Sequence, residues 1–390
     1  MSHYQASTPK VYSEMKRAIV FIFCKLVLIN VISAQIFTNS YYSKNSIPQL
    51  VVERSTIYTA DASNWHYTHH PSIVYFNNKF ISIFSSGIKG EDEAGQRIMI
   101  SESKNFKTWS NPTILRSSTL SENVLTPGGV YVIDHKLVAY FTENGIGPKN
   151  ARTNVKLYAI NSLDGTTWSD PIDLGISVFP CHRPTRLSSG RFILTGNRSF
   201  YYTDHASGTS GWKAAAKPAF KPGETATLVE GSIIEHQDSV YTLFRSTGAT
   251  YDGFLWQESS KDGSVWTTPK KTNFTDNNTK SHLGRLPDGR YYYVGTPDTL
   301  KVNRGKRTPL VLSLSTDGFN FNQNYIIASD NYTKLYAGRY KDGQFGYPYT
   351  IIHDGSMYVI LSRQKEKLEV IRFKLSQLKA SDTGTKRKKT

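Results

Sequence analysis

Short apolar segments rich in aromatic and β-branched residues recur along this chain, and Gly, Asp, Asn and Ser separate them. Examples are residues 79–85, 136–142 and 357–362. Segments of this length that are bounded by turn residues favour β-strands over helices. They form six groups of three between residues 70 and 373, with room for a fourth strand in each group. The pattern therefore predicts an all-β fold.

A turn phrase separates most of these groups. It has the form Ser-X-Asp-Gly-X-X-aromatic at residues 162–168, 260–266 and 315–321, with degenerate copies at 103–109 and 207–212. Asp and Ser oxygens accept backbone hydrogen bonds in such turns, Gly supplies a positive φ, and the aromatic ring packs below. The aromatic residues stand 44 to 59 positions apart, which is about the length of one propeller blade.

We therefore predict a six-bladed β-propeller with four-stranded antiparallel blades, or seven blades if two have been merged. The last group of strands has no turn phrase after it. We expect the N-terminal segment 49–53 to supply its fourth strand and close the ring, because closure hides sheet edges.

Residues 1–34 combine a basic start, an apolar segment and small residues at the end, which is the pattern of a secretory signal peptide. Residues 1–14 are a spurious extension if translation starts at Met15. A membrane anchor is the alternative, but the apolar segment is short and Lys25 interrupts it. The signal predicts a secreted or periplasmic protein with no membrane span after the signal is removed.

The remaining chain divides by composition into a linker, the propeller and a basic disordered tail. The predicted bounds are 35–48 for the linker, 49–377 for the propeller and 378–390 for the tail.

The formal net charge of the sequence is +16 at pH 7, and a basic surface attracts polyanions. No basic helix or aromatic RNA-binding phrase is present. With an export signal, we expect an acidic glycan or polysaccharide as the partner, and no nucleic acid. We expect that no cofactor is required; a structural Ca²⁺ would be compatible with the fold, but no residue pattern supports one.

Sites on propellers collect where the inner strands and their loops meet around the axis. The candidates for catalysis there are His69, His70, Asp92, Glu230 and Tyr347. The candidates for substrate binding are Arg97, Arg183, Arg245, His282, Arg285 and Arg307. A neutral histidine can transfer protons near pH 7. We predict no metal site, because adjacent histidines point to opposite faces of a strand.

With the turn phrase, these residues resemble the sialidase superfamily, in which the phrase is known as the Asp-box. The resemblance covers nearly all of the predicted mature chain. It implies that Asp92 donates a proton, that Glu230 assists a nucleophilic Tyr347, and that Arg307 belongs to a three-arginine carboxylate clamp.

Two positions depart from the sialidase pattern. The sequence His69-His70-Pro71 stands where the family has Arg-Ile-Pro, so His69 replaces the first clamp arginine. No arginine stands near Thr250, where the second is expected. A histidine cannot reproduce the bidentate contacts of a guanidinium. The His-rich start also resembles propeller enzymes that cleave rhamnose–glucuronate linkages, where histidine transfers the proton.

Three hypotheses follow. The first is a secreted glycoside hydrolase of sialidase type that acts on an acidic glycan. The second is a lyase or rhamnosidase acting at rhamnose–glucuronate linkages, with His69 or His70 in proton transfer. The third is a glycan-binding propeller without turnover.

Overall fold

A computed structural model of the chain describes residues 36–41, 47–220, 226–299 and 305–379. The predicted signal peptide up to residue 34 and nearly all of the predicted basic tail lie outside these residues. The strands belong to the unit Phe37–Thr390. Within the described residues, no helix is long and apolar enough to cross a membrane.

The described residues form 26 strands and three short 3₁₀ turns. In chain order the strands are β1 Thr38–Asn39, β2 Glu53–Thr59, β3 Tyr67–Phe76, β4 Lys79–Gly87, β5 Arg97–Ser103, β6 Thr113–Arg116, β7 Val124–Ile133, β8 Lys136–Ile146, β9 Arg152–Ser162, β10 Ile172–Asp173, β11 Thr185–Arg186, β12 Phe192–Gly196, β13 Ser199–Thr203, β14 Lys213–Ala214, β15 Leu228–His236, β16 Ser239–Ser246, β17 Phe254–Ser260, β18 Lys270–Thr275, β19 His282–Arg285, β20 Tyr291–Gly295, β21 Leu310–Ser315, β22 Asn320–Phe321, β23 Gln323–Ala328, β24 Gly346–His353, β25 Ser356–Arg363 and β26 Lys367–Lys374. The 3₁₀ turns are Pro148–Asn150, Gly248–Thr250 and Leu375–Gln377.

The strands build a β-propeller in which five sheets have four antiparallel strands each. These are β3–β6, β7–β10, β11–β14, the set β19-β20-β21-β23, and the set β24-β25-β26-β2. The prediction of four-stranded antiparallel blades is correct for these five. The sixth sheet departs from it: β15–β18 are antiparallel, and the short strands β1 and β22 extend the sheet to six strands by parallel pairing.

The chain closes the ring with an N-terminal strand, but with a later segment than predicted. β2 pairs with β26 through Glu53–Thr59, whereas Gln49 forms only an isolated bridge to Ile326. Neighbouring sheets contact each other through their first strands, which are the strands that begin each blade in the ring. β3 contacts both β7 and β24, and β19 contacts both β15 and β24. These first strands carry several of the candidate residues, among them His70, Glu230 and Tyr347.

The turn phrase lies between the third and fourth strands of the blades, as expected. In the copy after β9, Asp164 Oδ1 accepts hydrogen bonds from the N–H groups of Thr166 (2.7 Å) and Thr167 (2.8 Å). Gly165 has a φ of 80° and donates its N–H to Ser162 Oγ at 2.8 Å. The backbone N–H groups hold the pKa of Asp164 far below its ordinary value. The turns are structural and lie away from the cleft described next.

Candidate functional site

Three of the first strands have a β-bulge near their beginning that carries a candidate residue. The pairing register shifts between His69 and Ser72 in β3, between Val229 and Gly231 in β15, and around Tyr347 in β24. His70, Glu230 and Tyr347 adopt φ values of 51°, 43° and 53°. Left-handed backbone at non-glycine residues is costly and concentrates at functional sites.

The bulges bring the candidates together in one cleft of about 500 Å³. Its walls include His70, Asp92, Glu230, Arg245, Arg307 and Tyr347, together with Glu91, Arg152, Asn278 and Lys365. His69 is fully buried beside them, with its ring centroid 4.1 Å from that of Tyr347. The sequence therefore identified seven of the residues that converge here.

Tyr347, Glu230 and Arg245 form the centre of the cleft. Arg245 donates Nε to Glu230 Oε2 and an Nη2 hydrogen to the Tyr347 hydroxyl at 3.2 Å. Burial alone would raise the pKa of Glu230, but Arg245 and the Tyr347 hydroxyl lower it to about 2. Burial, reinforced by the charge of Glu230, raises the pKa of Tyr347 well above its ordinary value. The resting site therefore holds a neutral phenol against an ionised carboxylate.

Asn278 connects the two arginines of the cleft. Its side-chain oxygen accepts a hydrogen bond from Arg245 Nη1, and its backbone oxygen accepts one from Arg307 Nε at 3.0 Å. Arg307 Nη1 is buried and has no hydrogen-bond partner among the described residues. A buried unpaired guanidinium N–H is costly, so it is the natural contact for an anionic group of a ligand.

The two histidines lie on one side of this cleft, contrary to the expectation that they would point apart. Because His70 has a positive φ, its ring stays near that of His69, with a centroid separation of 4.5 Å. His69 Nδ1 is hydrogen-bonded to Ser362 Oγ at 2.7 Å, while its Nε2 is buried and has no partner within the described ranges. Burial lowers the pKa of His69 well below its ordinary value and that of His70 to about 3, so both are neutral at pH 7.

Glu91 completes the histidine side of the cleft. Its carboxylate lies 3.3 Å from His70 Nε2 and accepts a hydrogen bond from Lys365 Nζ. Burial opposes ionisation, but Lys365 and His70 lower the pKa of Glu91 below its ordinary value. Potential ligand atoms of His69, His70 and Glu91 lie within 4.8 Å of one another, the one such group in the part of the chain that the structure describes. Lys365 already neutralises Glu91, which disfavours a metal cation there.

Asp92 lies in the loop between β4 and β5, with a φ of 57°. Its Oδ2 accepts a hydrogen bond from Arg152 at 2.6 Å, and its buried Oδ1 has no hydrogen-bond partner among the described residues. A ligand in the cleft would therefore meet Asp92 as one half of an ion pair with Arg152.

Four predicted residues are not brought to the cleft. Arg183, His282 and Arg285 line a second cavity at the other end of the first strands. Arg97 stacks on Trp65, with its guanidinium carbon 3.4 Å from the ring centroid, and lies outside both cavities.

Several cleft residues had no sequence signal. Arg152, Asn278 and Lys365 enter from loops or strand ends, and Lys365 is 274 positions from the Glu91 that it contacts. Glu91 belongs to an acidic loop cluster next to Asp92, which is the one signal that could have identified it.

The comparisons with known proteins agree with the fold. Residues 78–360 match the family of the BNR repeat-like domain. A solved structure titled "Sialidase" is similar with a TM-score of 0.57 and 17% identity, covering 84% of this chain and 33% of that one. The sialidase of Trypanosoma rangeli in complex with sialic acid has a TM-score of 0.59 and 14% identity, covering 83% of this chain and 59% of that one. The α-L-arabinanase of Penicillium chrysogenum with arabinobiose has a TM-score of 0.54 and 13% identity, covering 85% and 100%.

This chain thus spans a third to three fifths of the sialidase chains it matches. No curated protein matched it. At these identities the solved structures show the fold alone.

Proposed function

Because the chain belongs to the BNR repeat-like domain family, whose propeller it shares with the sialidases above, we propose that it is a carbohydrate-active enzyme of sialidase type. The proposed reaction is hydrolysis of a glycosidic bond in an acidic glycan. The observation that carries the proposal is the hydrogen-bonded set of Tyr347, Glu230 and Arg245 at the centre of the cleft.

The charges of the cleft favour a substrate with a carboxylate. Three cations are each matched by an acid: Arg245 by Glu230, Arg152 by Asp92 and Lys365 by Glu91. Arg307 lines the same cleft and has no acid within ion-pair distance among the described residues. A guanidinium with a free edge binds a carboxylate by charge-assisted hydrogen bonds.

The proposed chemistry uses Tyr347 as the nucleophile. Glu230 takes the phenolic proton while the Tyr347 oxygen attacks the anomeric carbon, and Arg245 stabilises the developing phenolate. Asp92 protonates the leaving oxygen as the glycosidic bond breaks. Water then attacks the anomeric carbon and gives a proton to the Asp92 carboxylate, while the bond from that carbon to the Tyr347 oxygen breaks and Glu230 returns the phenolic proton to Tyr347. A neutral phenol suits an anionic sugar, because it adds no charge repulsion to the attack.

The test is turnover of a panel of sialosides and uronate-containing oligosaccharides by the wild type, Tyr347→Phe and Asp92→Asn, with products identified by mass spectrometry. We expect a hydrolysed acidic glycan and a loss of about 10²-fold or more in both variants. Unchanged turnover in both variants would overturn the proposed mechanism. Binding without any product would favour a non-catalytic glycan-binding propeller.

One observation favours a second candidate, a uronate-dependent lyase. His69 is neutral, its Nε2 has no partner among the residues that the structure describes, and its ring lies against Tyr347. A neutral histidine can remove the C5 proton of a uronate while a tyrosine protonates the leaving oxygen. Elimination creates a C4–C5 double bond that absorbs in the ultraviolet, and hydrolysis does not. Rising absorbance that is lost in His69→Ala would replace the hydrolase proposal by the lyase.

We also propose, from the sequence of residues 1–34, that the protein is exported. Fractionation of expressing cells would test it, with the mature N-terminus determined by mass spectrometry. A mature protein that begins at residue 35 outside the cytoplasm is expected, and an intact cytoplasmic chain would contradict export.

A further inference from the structure

The first strands connect the cleft to a second cavity at their other end. β15 places Glu230 in the cleft and Glu235 in the second cavity, and β24 places Tyr347 in the cleft and Tyr349 in the second cavity. A space of about 10 Å³, bordered by Cys181 and Lys280, shares His70 with the cleft and Tyr349 with the second cavity. That space holds about one water molecule. The second cavity, here called the reverse cavity, is therefore a separate compartment of about 550 Å³.

The reverse cavity collects positive charge without acidic partners. Arg183, Arg186 and Arg285 line it, and none of the three has a carboxylate within 4.0 Å among the described residues. The one acid in its wall, Glu235, instead accepts hydrogen bonds from the N–H and hydroxyl of Ser188, at 2.9 and 2.7 Å. Unmatched cations in a concave, partly enclosed space attract anions more strongly than the same charges on an open surface.

Aromatic rings hold the three guanidinium groups. Arg183 lies 3.6 Å above the ring centroid of Tyr131 and donates Nε to the Tyr349 hydroxyl at 2.8 Å. Arg186 and Arg285 lie over Phe192 and Tyr291, at 5.4 and 5.3 Å. Stacking fixes the face of a guanidinium and leaves its edge for hydrogen bonds to an oxyanion.

His182, in the wall of the reverse cavity, requires a hydrogen-bond donor from a ligand. His182 Nε2 lies 2.8 Å from the backbone oxygen of Ser281, which can only accept, so Nε2 carries the hydrogen. Burial lowers the pKa of His182 well below its ordinary value, so the ring is neutral and Nδ1 is an acceptor. That Nδ1 is buried and has no hydrogen-bond partner in the part of the chain that the structure describes. It would be satisfied by a hydroxyl donor, which inorganic sulfate lacks and a sugar supplies.

We propose that the reverse cavity is a second ligand site, which binds a saccharide that carries a carboxylate or sulfate group. The arginines receive the oxyanion, and His182 Nδ1 accepts a hydrogen bond from a sugar hydroxyl. The cavity volume lies within the usual range for small-molecule sites. This site is distinct from the cleft and does not depend on the reaction proposed there.

The experiment is isothermal titration of the full chain with four probes: a glucuronic-acid disaccharide, galactose 6-sulfate, inorganic sulfate and glucose. All proteins carry Arg307→Gln, which removes the unpaired arginine of the cleft. The test variant adds Arg186→Gln and Arg285→Gln; both side chains are exposed, so the fold should be retained. The matched control adds Lys261→Gln, an exposed cation in an outer turn.

We expect the charged saccharides to bind the Arg307→Gln protein and the Lys261→Gln control alike. Affinity should fall by about tenfold or more in the double arginine variant, because charge-assisted hydrogen bonds are lost. Inorganic sulfate should bind more weakly than the saccharides, and His182→Ala should weaken only the saccharides. Comparison of the uronate with the sulfate ester shows which oxyanion is preferred.

Three outcomes would overturn the proposal. The first is no binding of any oxyanion to the Arg307→Gln protein, which would assign all binding to the cleft. The second is equal affinity of the double arginine variant and the Lys261→Gln control. The third is equal affinity for glucose and the charged saccharides. Because the readout is binding, a failure here is distinguishable from a lack of turnover in the cleft.

Discussion

The two ends of the first strands differ in whether their charged side chains form ion pairs. In the cleft, Glu230, Asp92 and Glu91 are each paired with a cation, and the backbone is left-handed at the residues that the bulges present. In the reverse cavity, the arginines have no acidic partners among the described residues and rest on aromatic rings. The shifted pKa values of Glu230 and Glu91 are typical of sites of proton transfer, whereas stacked arginines suit the binding of an anion. The two proposals therefore assign catalysis to one end of these strands and ligand binding to the other.

The largest effect should come from breaking a pair in the cleft. Arg245→Leu leaves Glu230 without its cation and leaves Asn278 Oδ1 without the hydrogen bond from Arg245. Removal of one partner of a buried ion pair costs about 3–5 kcal/mol. We expect the free energy of unfolding, measured by urea denaturation, to fall by about that amount, and turnover to be lost.

Two variants sharpen this result. Arg245→Lys keeps the charge but cannot make all three contacts, so it should lie between the wild type and Arg245→Leu. Arg285→Gln in the reverse cavity breaks no ion pair and should change stability by less than about 0.5 kcal/mol. Equal losses for Arg245→Leu and Arg285→Gln would contradict the contrast between the two ends.

The second effect concerns acid stability at the reverse end. Burial, together with Arg183 and Lys280, lowers the pKa of His282 to about 3, against about 6.5 when unfolded. Between these values the unfolded chain binds more protons than the folded one, so stability is full above pH 6.5 and falls as the pH drops towards 3. At pH 5 this loss is about 2 kcal/mol for one histidine.

His282→Gln should remove the contribution of this histidine to the loss of stability at acidic pH. The difference between the free energies of unfolding at pH 7.5 and pH 5 should be smaller than in the wild type by about 2 kcal/mol. His205→Gln, at an exposed histidine, is the control for the loss of one imidazole from the chain. An unaltered pH dependence in His282→Gln would show that the imidazole is not held neutral by its surroundings.

The sequence predicted the repeats better than the site, and the reason is the range of the interactions. Strand and turn signals are local, so the blades and the turns after β9 and β17 could be predicted from spacing. His70, Glu230 and Tyr347 could be predicted because they stand at the beginnings of first strands. Two other features depend on contacts between segments that are far apart in sequence. They are the bulges that place these side chains in the cleft and the Lys365–Glu91 ion pair in its wall.

The predicted site residues that lie outside the cleft show the same limit of prediction from sequence. His282 begins a first strand, as Tyr347 nearly does, yet it lines the reverse cavity. β19 has four residues and β24 has eight, so equivalent positions in sequence lie at different depths. The segment before β19 fills the cleft end with Asn278 instead. Strand length, which a repeat phrase does not encode, decides which end a residue faces.

The smallest effect should come from Asn278, which has no counterpart in the reverse cavity. Asn278→Ala removes the acceptor for Arg245 Nη1 but keeps the backbone oxygen that binds Arg307 Nε. It also places alanine at a φ of 54°, which costs about 1–2 kcal/mol. Asn278→Gly removes the same side chain without that backbone penalty. We expect urea denaturation to show a smaller loss of stability for Asn278→Gly than for Asn278→Ala. Both variants should raise the KM for a carboxylated substrate, because Arg245 is no longer held beside Arg307. If the two variants lose the same stability and neither changes the KM, then Asn278 does not position the arginines.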